Sequence, residues 1–304
     1  MLAEIQASPR PAPFPKAPVR LRTGRRVTVG TAGWWAGGIV LSIIFLIPVY
    51  WLLNTALRPM TDQAAFEPPF WPSHPMWHYF LDAINSPFSA TPFWSAAWNS
   101  ARLTGEAAGL TTITSAMVGF AFARLRAPGK RFFFTILVGT MLIPQILYIF
   151  PQVMMFIRLG LYNTDWPWIL YGLGASPYLA FLYRQFFARV PMEIEDAAIV
   201  DGCGYIRIFW RIFMPLSKPA IAVAVIYSVQ NTWNDFLYPY MFRTTDNTTL
   251  SVLVLNGNTL DPLGGLGGQL LAAAAVMYTL PIVLLFLVCQ RYFLSGALVG
   301  SLKG

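Results

Sequence analysis

The chain is 304 residues long, 56% hydrophobic and only 11% charged, with a net charge of +8. At a mean hydropathy of +0.53 it is far more apolar than a soluble domain of this size can hide, which excludes a soluble enzyme or binding module. Its Lys and Arg residues fall between long uncharged blocks, so the positive charge reads as a topology signal and not as a nucleic-acid surface.

In chain order, residues 1–32 read as a disordered basic cytosolic tail, with Arg10, Lys16, Arg20, Arg22, Arg25 and Arg26 set among five prolines. The apolar block at 27–57 runs past the h-region of a cleaved signal, so residues 33–57 are expected as an uncleaved first transmembrane helix. Residues 58–94 follow as an external loop rich in proline and aromatics, the composition of a membrane interface. Residues 95–292 hold five further apolar blocks, at 107–123, 132–157, 166–183, 219–234 and 262–290, each near or above the ~17 to 25 residues of a span. The second and fifth spans are short and must draw in a charged residue to cross. Residues 293–304 are a cytosolic C-terminal tail. The expected fold class is an all-α integral membrane protein with six transmembrane helices.

Orientation follows from the 21 Lys and Arg. Six lie in the N-terminal arm, four at Arg124, Arg126, Lys130 and Arg131, five at Arg184, Arg189, Arg207, Arg211 and Lys218, and two at Arg291 and Lys303. These seventeen share one side; Arg58, Arg158 and Arg243 lie opposite, with Arg102 at the mouth of the second span. Both termini and the loop at 191–219 are therefore expected in the cytosol. Cys203 and Cys289 fall on that side too, and imply no disulfide framework.

Signatures of catalysis are missing. The sequence holds no Walker motif, no HExxH and no nucleophile elbow, and the Gly264, Gly265, Gly267 and Gly268 stretch lacks the Lys-Ser/Thr end of a phosphate loop. His74 and His78 stand four apart without a carboxylate or cysteine placed to complete a metal site. The reading is a non-catalytic chain that binds no metal and no cofactor of its own.

The loop at 191–219 carries the most information. Glu193, Glu195, Asp196, Asp201, Arg207, Arg211 and Lys218 would be very costly in hydrocarbon, so this segment sits in water or against another protein. Pro191 suits a helix start, and the three acids after it favour the positive end of the helix dipole. Asp201-Gly202 and Gly204 allow a tight turn in which either glycine can take positive φ, and a second helix from about Tyr205 to Phe213 ends before Pro215. Helix, turn and helix are expected to lie across the membrane base.

These residues resemble a family. Asp196-Ala197-Ala198, Asp201-Gly202, Ile212, Met214-Pro215-Leu216 and Pro219 look like the EAA motif of membrane subunits of binding-protein-dependent ATP-binding-cassette importers, with Asp196 where Glu is usual. Asn99-Ser100, Ala121-Phe122-Ala123-Arg124, Pro144-Gln145, Pro151, Trp233-Asn234-Asp235-Phe236 and Gln290-Arg291-Tyr292-Phe293 through Gly296 are similar to the sugar-importer branch, the maltose-permease type. The likeness covers residues 93–304. It implies the type I importer permease architecture in a bacterial or archaeal cytoplasmic membrane, and alternating access for a sugar or sugar-like solute. It also implies partners: a second homologous permease subunit, two ATPase subunits that hold ATP and Mg, and an extracytoplasmic solute-binding protein. Glu193, Glu195, Asp196, Ala197, Ala198, Asp201, Gly202 and Pro215 would form the coupling element seated on the ATPase.

Asp235 would cost roughly 2.5 to 3.5 kcal/mol at a helix centre facing lipid, so it is expected to face protein or water. Gln230, Asn231, Trp233 and Asn234 share its polar stripe. Two roles stand level for these five: a pore wall that hydrogen-bonds sugar hydroxyls, with Trp233 or Tyr238 stacking, or a polar clasp with the partner subunit. Arg102 and Glu106, four apart in the second span, are expected to pair with each other. An ion-coupled secondary transporter and a membrane glycosyltransferase remain as alternatives, the second weakened by the scatter of Asp62, Glu67 and Asp82.

Overall fold

The computed structural model describes residues 29–59, 62, 69–85, 91–256 and 267–301, so most of the N-terminal arm and the start of the glycine-rich stretch lie outside the described residues. The chain divides into two compact units, residues 1–49 and 50–304. Helix α1 (Val29–Leu57) supplies the described part of the first unit, and its Gly33–Leu57 segment is 25 residues long, enough to cross hydrocarbon.

The second unit is built around α3 (Phe93–Arg124). Its neighbours are α6 (Trp166–Leu173), α7 (Pro177–Phe187) and α10 (Lys218–Trp233). Two glycines permit the close approach. A Cβ on Gly119 would stand 2.5 Å from the Cβ of Tyr183, and one on Gly172 would stand 2.7 Å from the Cβ of Leu110, so no other residue fits at either crossing. Around them Phe120, Tyr183, Phe187, Phe209 and Phe213 fill one core, and Leu103, Ile149, Phe156, Trp168 and Phe242 another.

Several apolar helices have spanning length. Among the described residues three helices are long and apolar enough, Gly33–Leu57, Phe93–Arg124 and Gly268–Gln290, and the pair Tyr205–Leu216 and Lys218–Trp233 adds a fourth, bent by 85°. The expected third and fourth spans are not continuous. Block 132–157 folds as α4 (Lys130–Gly139), two 3₁₀ turns on either side of Pro144, and α5 (Ile149–Arg158). Proline has no N–H to give and clashes with the preceding turn, which accounts for that break. Block 166–183 breaks between α6 and α7, where Ala175 takes φ +57. The backbone groups freed there find hydroxyls on α3: Thr114 donates to the Gly172 carbonyl at 2.7 Å, and Ser115 accepts from the Ser176 N–H at 2.8 Å. Broken helices persist in membranes where neighbouring side chains satisfy them in this way.

Part of the segment expected as an external loop, residues 58–94, is among the described residues. It contains α2 (His78–Asn85), which buries Tyr79 and Ala83 and packs against the long last helix α13 (Gly267–Ser301). His74 precedes α2, so it shares no helical face with His78, which instead stands 3.7 Å from Asp82. Helix α13 runs on as helix through most of the expected tail at 293–304.

Candidate functional site

The segment at 192–216 folds as two short helices joined by a turn. Helix α8 (Met192–Val200) carries Glu193 and Glu195 in its first turn, where a helix favours acids. It closes with Gly202 at φ +78: the Gly202 N–H donates to the Ile199 carbonyl and the Cys203 N–H to the Ala198 carbonyl, both at 2.9 Å. That pairing is the Schellman motif, and it needs a residue free to take positive φ. Gly204, by contrast, sits at φ −75. Helix α9 (Tyr205–Leu216) follows, and it does not stop before Pro215 as the sequence suggests. A π-turn over Phe209–Phe213 widens the helix just ahead of Pro215, which relieves the clash of its ring with the previous turn.

One face of this segment is uncovered among the described residues. Ile199, Val200, Tyr205, Ile206 and Leu216 are exposed, Val200 at 87% and Ile206 at 79%. Glu193, Asp196, Ala197, Asp201, Gly202 and Pro215 are exposed with them, so six of the eight residues named from the sequence reach the surface.

Glu195 and Ala198 do not. They face inward, and the Glu195 carboxylate lies 3.5 Å from the guanidinium of Arg124, with the two side chains 5% and 3% exposed. Arg124 ends α3 and gathers four elements. It donates to the Phe187 carbonyl at the end of α7 at 2.6 Å and to the Val190 carbonyl just beyond it, touches Met192 Sδ at 2.8 Å, and lies 5.0 Å over the Phe213 ring. Arg124 therefore caps α7, neutralises the acid on α8 and stacks on α9. The sequence shows Arg124 as one basic residue in a loop. Only the fold brings Glu195 to it from 71 positions away.

The polar stripe before Asp235 separates into two sets. Gln230, Asn231 and Asn234 are exposed. Trp233 is buried: its indole N–H donates to the Tyr278 carbonyl at 3.0 Å, and the Tyr278 hydroxyl returns a bond to the Trp233 carbonyl at 3.0 Å and reaches the Asn234 side-chain oxygen at 2.9 Å. This clasp ties α10 to α13 within one chain. Asp235 lies in the break between α10 and α11 (Leu237–Phe242) and accepts the Tyr238 N–H at 3.2 Å, in the manner of a helix cap. Tyr238 is buried and donates its hydroxyl to Gln152 at 2.9 Å, which removes it as a stacking surface.

At the opposite end of α3, Arg102 does not pair with Glu106. Its partner is Asp165, at 2.7 Å, and the same carboxylate takes the buried Arg243. Asp165 precedes α6 and Arg243 follows α11, so three stretches of chain meet at one acid, a stronger attraction than a single exposed i, i+4 pair supplies. Nearby, Asn99 donates to Asn247 and to the Thr248 carbonyl, each at 3.0 Å, and Ser100 accepts the Leu250 N–H at 2.8 Å. Asp165 escaped the sequence reading, although it is one of only 13 acids in the chain and stands beside Trp166 in an interfacial stretch.

This arrangement has no nucleophile, base and oxyanion donors brought together. What it offers is mechanical: an exposed face on a short helical segment, tied by one buried arginine to a spanning helix. Residues 113–297 match the family described as the binding-protein-dependent transport system inner membrane component. The chain is 31% identical over 299 residues to the probable ABC transporter permease protein YurM of Bacillus subtilis, covering 97% of this chain and 96% of that one. It is 34% identical over 276 residues to the arabinooligosaccharides transport system permease protein AraQ of Halalkalibacterium halodurans, covering 89% and 96%. Its fold is similar, at a TM-score of 0.72 and 20% identity, to a chain of a bacterial ABC transporter involved in the import of the acidic polysaccharide alginate, covering 86% of this chain and 96% of that one. The chain belongs to the inner membrane components of binding-protein-dependent transport systems, the non-catalytic permease subunits of ABC importers.

Proposed function

We propose that this chain lines the translocation path of an ATP-driven oligosaccharide importer and couples it to ATPase subunits through residues 192–216. The exposed apolar face of that segment carries the reading, since Ile199, Val200, Tyr205, Ile206 and Leu216 find no cover among the described residues and a patch of this kind marks a protein contact. Glu193, Asp196 and Asp201 rim the patch. Glu195 acts from behind it, through Arg124.

The assembly would comprise this chain, a second homologous permease, two ATPases that bind ATP and Mg, and an extracytoplasmic solute-binding protein. Six membrane crossings with both termini in the cytosol agree with the distribution of Lys and Arg. The broken blocks at 132–157 and 166–183 would then be two of the six, each crossing as two short helices. A sugar cargo is supported by the relative named for arabinooligosaccharide transport. The exposed amides of Gln230, Asn231 and Asn234 suit sugar hydroxyls, which accept hydrogen bonds from an amide NH2 and donate to an amide oxygen. An ion-coupled carrier and a glycosyltransferase lose their support, because the chain belongs to a family of binding-protein-dependent transport components.

Purification in mild detergent with identification of the co-purifying chains tests the assembly, and ligand screening on the recovered binding protein tests the cargo. Recovery of the chain without an ATPase under conditions where uptake persists would overturn the reading.

A further inference from the structure

A cavity of about 700 Å³ opens where the end of α3, the start of α4 and the end of α7 meet, lined by Phe122, Gly129, Lys130, Arg131, Phe134 and Arg184. Three cations surround it. Among the described residues none of the three forms an ion pair with a carboxylate. Two of them are held in place without being neutralised: Lys130 donates to the Leu125 carbonyl at 2.8 Å, and the Arg184 guanidinium lies 4.1 Å over the Phe134 ring.

The backbone adds to the same field. Helix α4 starts at this cavity with Lys130 and Arg131 in its first turn, where a helix favours acids, and its N-cap Gly129 offers no side chain to accept the free N–H groups. So much uncompensated positive potential beside hydrocarbon asks for an anion. Just outside, Phe132, Phe133 and Ile136 on α4 are 66%, 59% and 48% exposed, an apolar surface running away from the cations.

We propose that this cavity binds the phosphate headgroup of an anionic phospholipid, with its acyl chains lying along Phe132, Phe133 and Ile136. Basic pockets between helices at a membrane face take such headgroups. A zwitterionic headgroup brings its own ammonium against three cations and is disfavoured. The site depends on the function proposed above only for its leaflet, which is the one facing residues 192–216. Arg184 lies on the helix whose terminal carbonyls Arg124 holds, so the bound lipid braces that end of α7.

The test uses the full chain in phosphatidylcholine nanodiscs doped with phosphatidylglycerol, and counts retained lipid by native mass spectrometry. Retention of phosphatidylglycerol should exceed that of phosphatidylcholine about tenfold or more, and Lys130→Gln, Arg131→Gln and Arg184→Gln should each lower it about fivefold. Ala127→Trp fills the cavity with every charge in place and should lower it as well, while Arg158→Gln, on α5, should not. Equal retention across these variants overturns the proposal. Displacement of phosphatidylglycerol by millimolar inorganic phosphate alone would identify a soluble anion as the ligand and overturn the lipid. Loss of a co-purifying ATPase in the three Gln variants, with lipid retained, would make the cavity a protein contact. Because retention is read without transport, failure of uptake leaves it standing, and failure of retention leaves the importer assignment standing.

Discussion

Arg124 and Glu195 stand 3.5 Å apart with both side chains almost wholly buried, and this one contact joins the end of a spanning helix to the first turn of α8. The Glu195 Oε2 atom takes no hydrogen bond among the described residues and faces the guanidinium at 3.5 Å. Removing one member of a buried pair strands the other, which costs about 3 to 5 kcal/mol. Arg124→Ala should therefore lower the thermal midpoint of the purified complex and release the ATPase. Glu195→Gln keeps shape and leaves Arg124 its two carbonyls, so it should cost far less. Equal losses in the two variants, read by co-purification and thermal unfolding, would count against the clamp.

The turn after α8 separates two glycines. Gly202 holds φ +78 with open space around its missing Cβ, so a substitution there is strained by backbone conformation alone. Gly202→Val should cost roughly 1 to 3 kcal/mol and weaken ATPase docking while membrane insertion is kept. Gly204→Ala, at φ −75 and with nothing within 4 Å, should be tolerated. Docking assays on the two variants should diverge.

Around Asp235 the expected effects divide by orientation. Gln230→Ala and Asn231→Ala remove exposed amides and should reduce uptake with stability changed by less than about 0.5 kcal/mol. Trp233→Ala deletes a buried ring and its bond to Tyr278, and should cost about 3 to 5 kcal/mol. Asp235→Asn keeps a side-chain oxygen for the Tyr238 N–H and should leave assembly intact while altering uptake. Asp235→Ala loses that acceptor and about 1 kcal/mol besides. Uptake and unfolding measured on the same preparations resolve the two sets.

The Asp165 junction offers a charge test. Asp165→Asn leaves Arg102 and the buried Arg243 facing each other without an acid between them, and should destabilise by about 3 to 5 kcal/mol. Adding Arg102→Gln to that variant removes one of the two like charges and should recover part of the loss. A double-mutant cycle on thermal unfolding measures the coupling.

Much of the segment at 192–216 was legible in the sequence, because its signals are local. Pro191, the acids after it and Asp201-Gly202 specify a helix and its closing turn within twelve residues. Glu195 was not legible as a buried residue, since an acid in a first turn reads as solvated and its partner comes from another helix. The two broken blocks were hidden for a different reason. A uniformly apolar stretch has no periodicity to interrupt, and although Pro144 is a visible break signal, nothing in the sequence marks Ala175 as the residue to take φ +57. Trp233 looked free to stack on a ligand because Tyr278, which occupies its polar edge, lies 45 residues on.

Helix α3 is held at four places along its length: by Asp165 at Arg102, by the glycine crossings at Gly172 and Gly119, and by the carbonyls and carboxylate around Arg124. From Arg102 to Arg124 is about 33 Å at 1.5 Å per residue, close to the ~30 Å of a bilayer core. A rod pinned so often has no slack. In the function proposed above, a displacement of 192–216 would therefore reach the Arg102 end of α3 as a tilt of α3 together with α6 and α7, like a tiller turning its rudder.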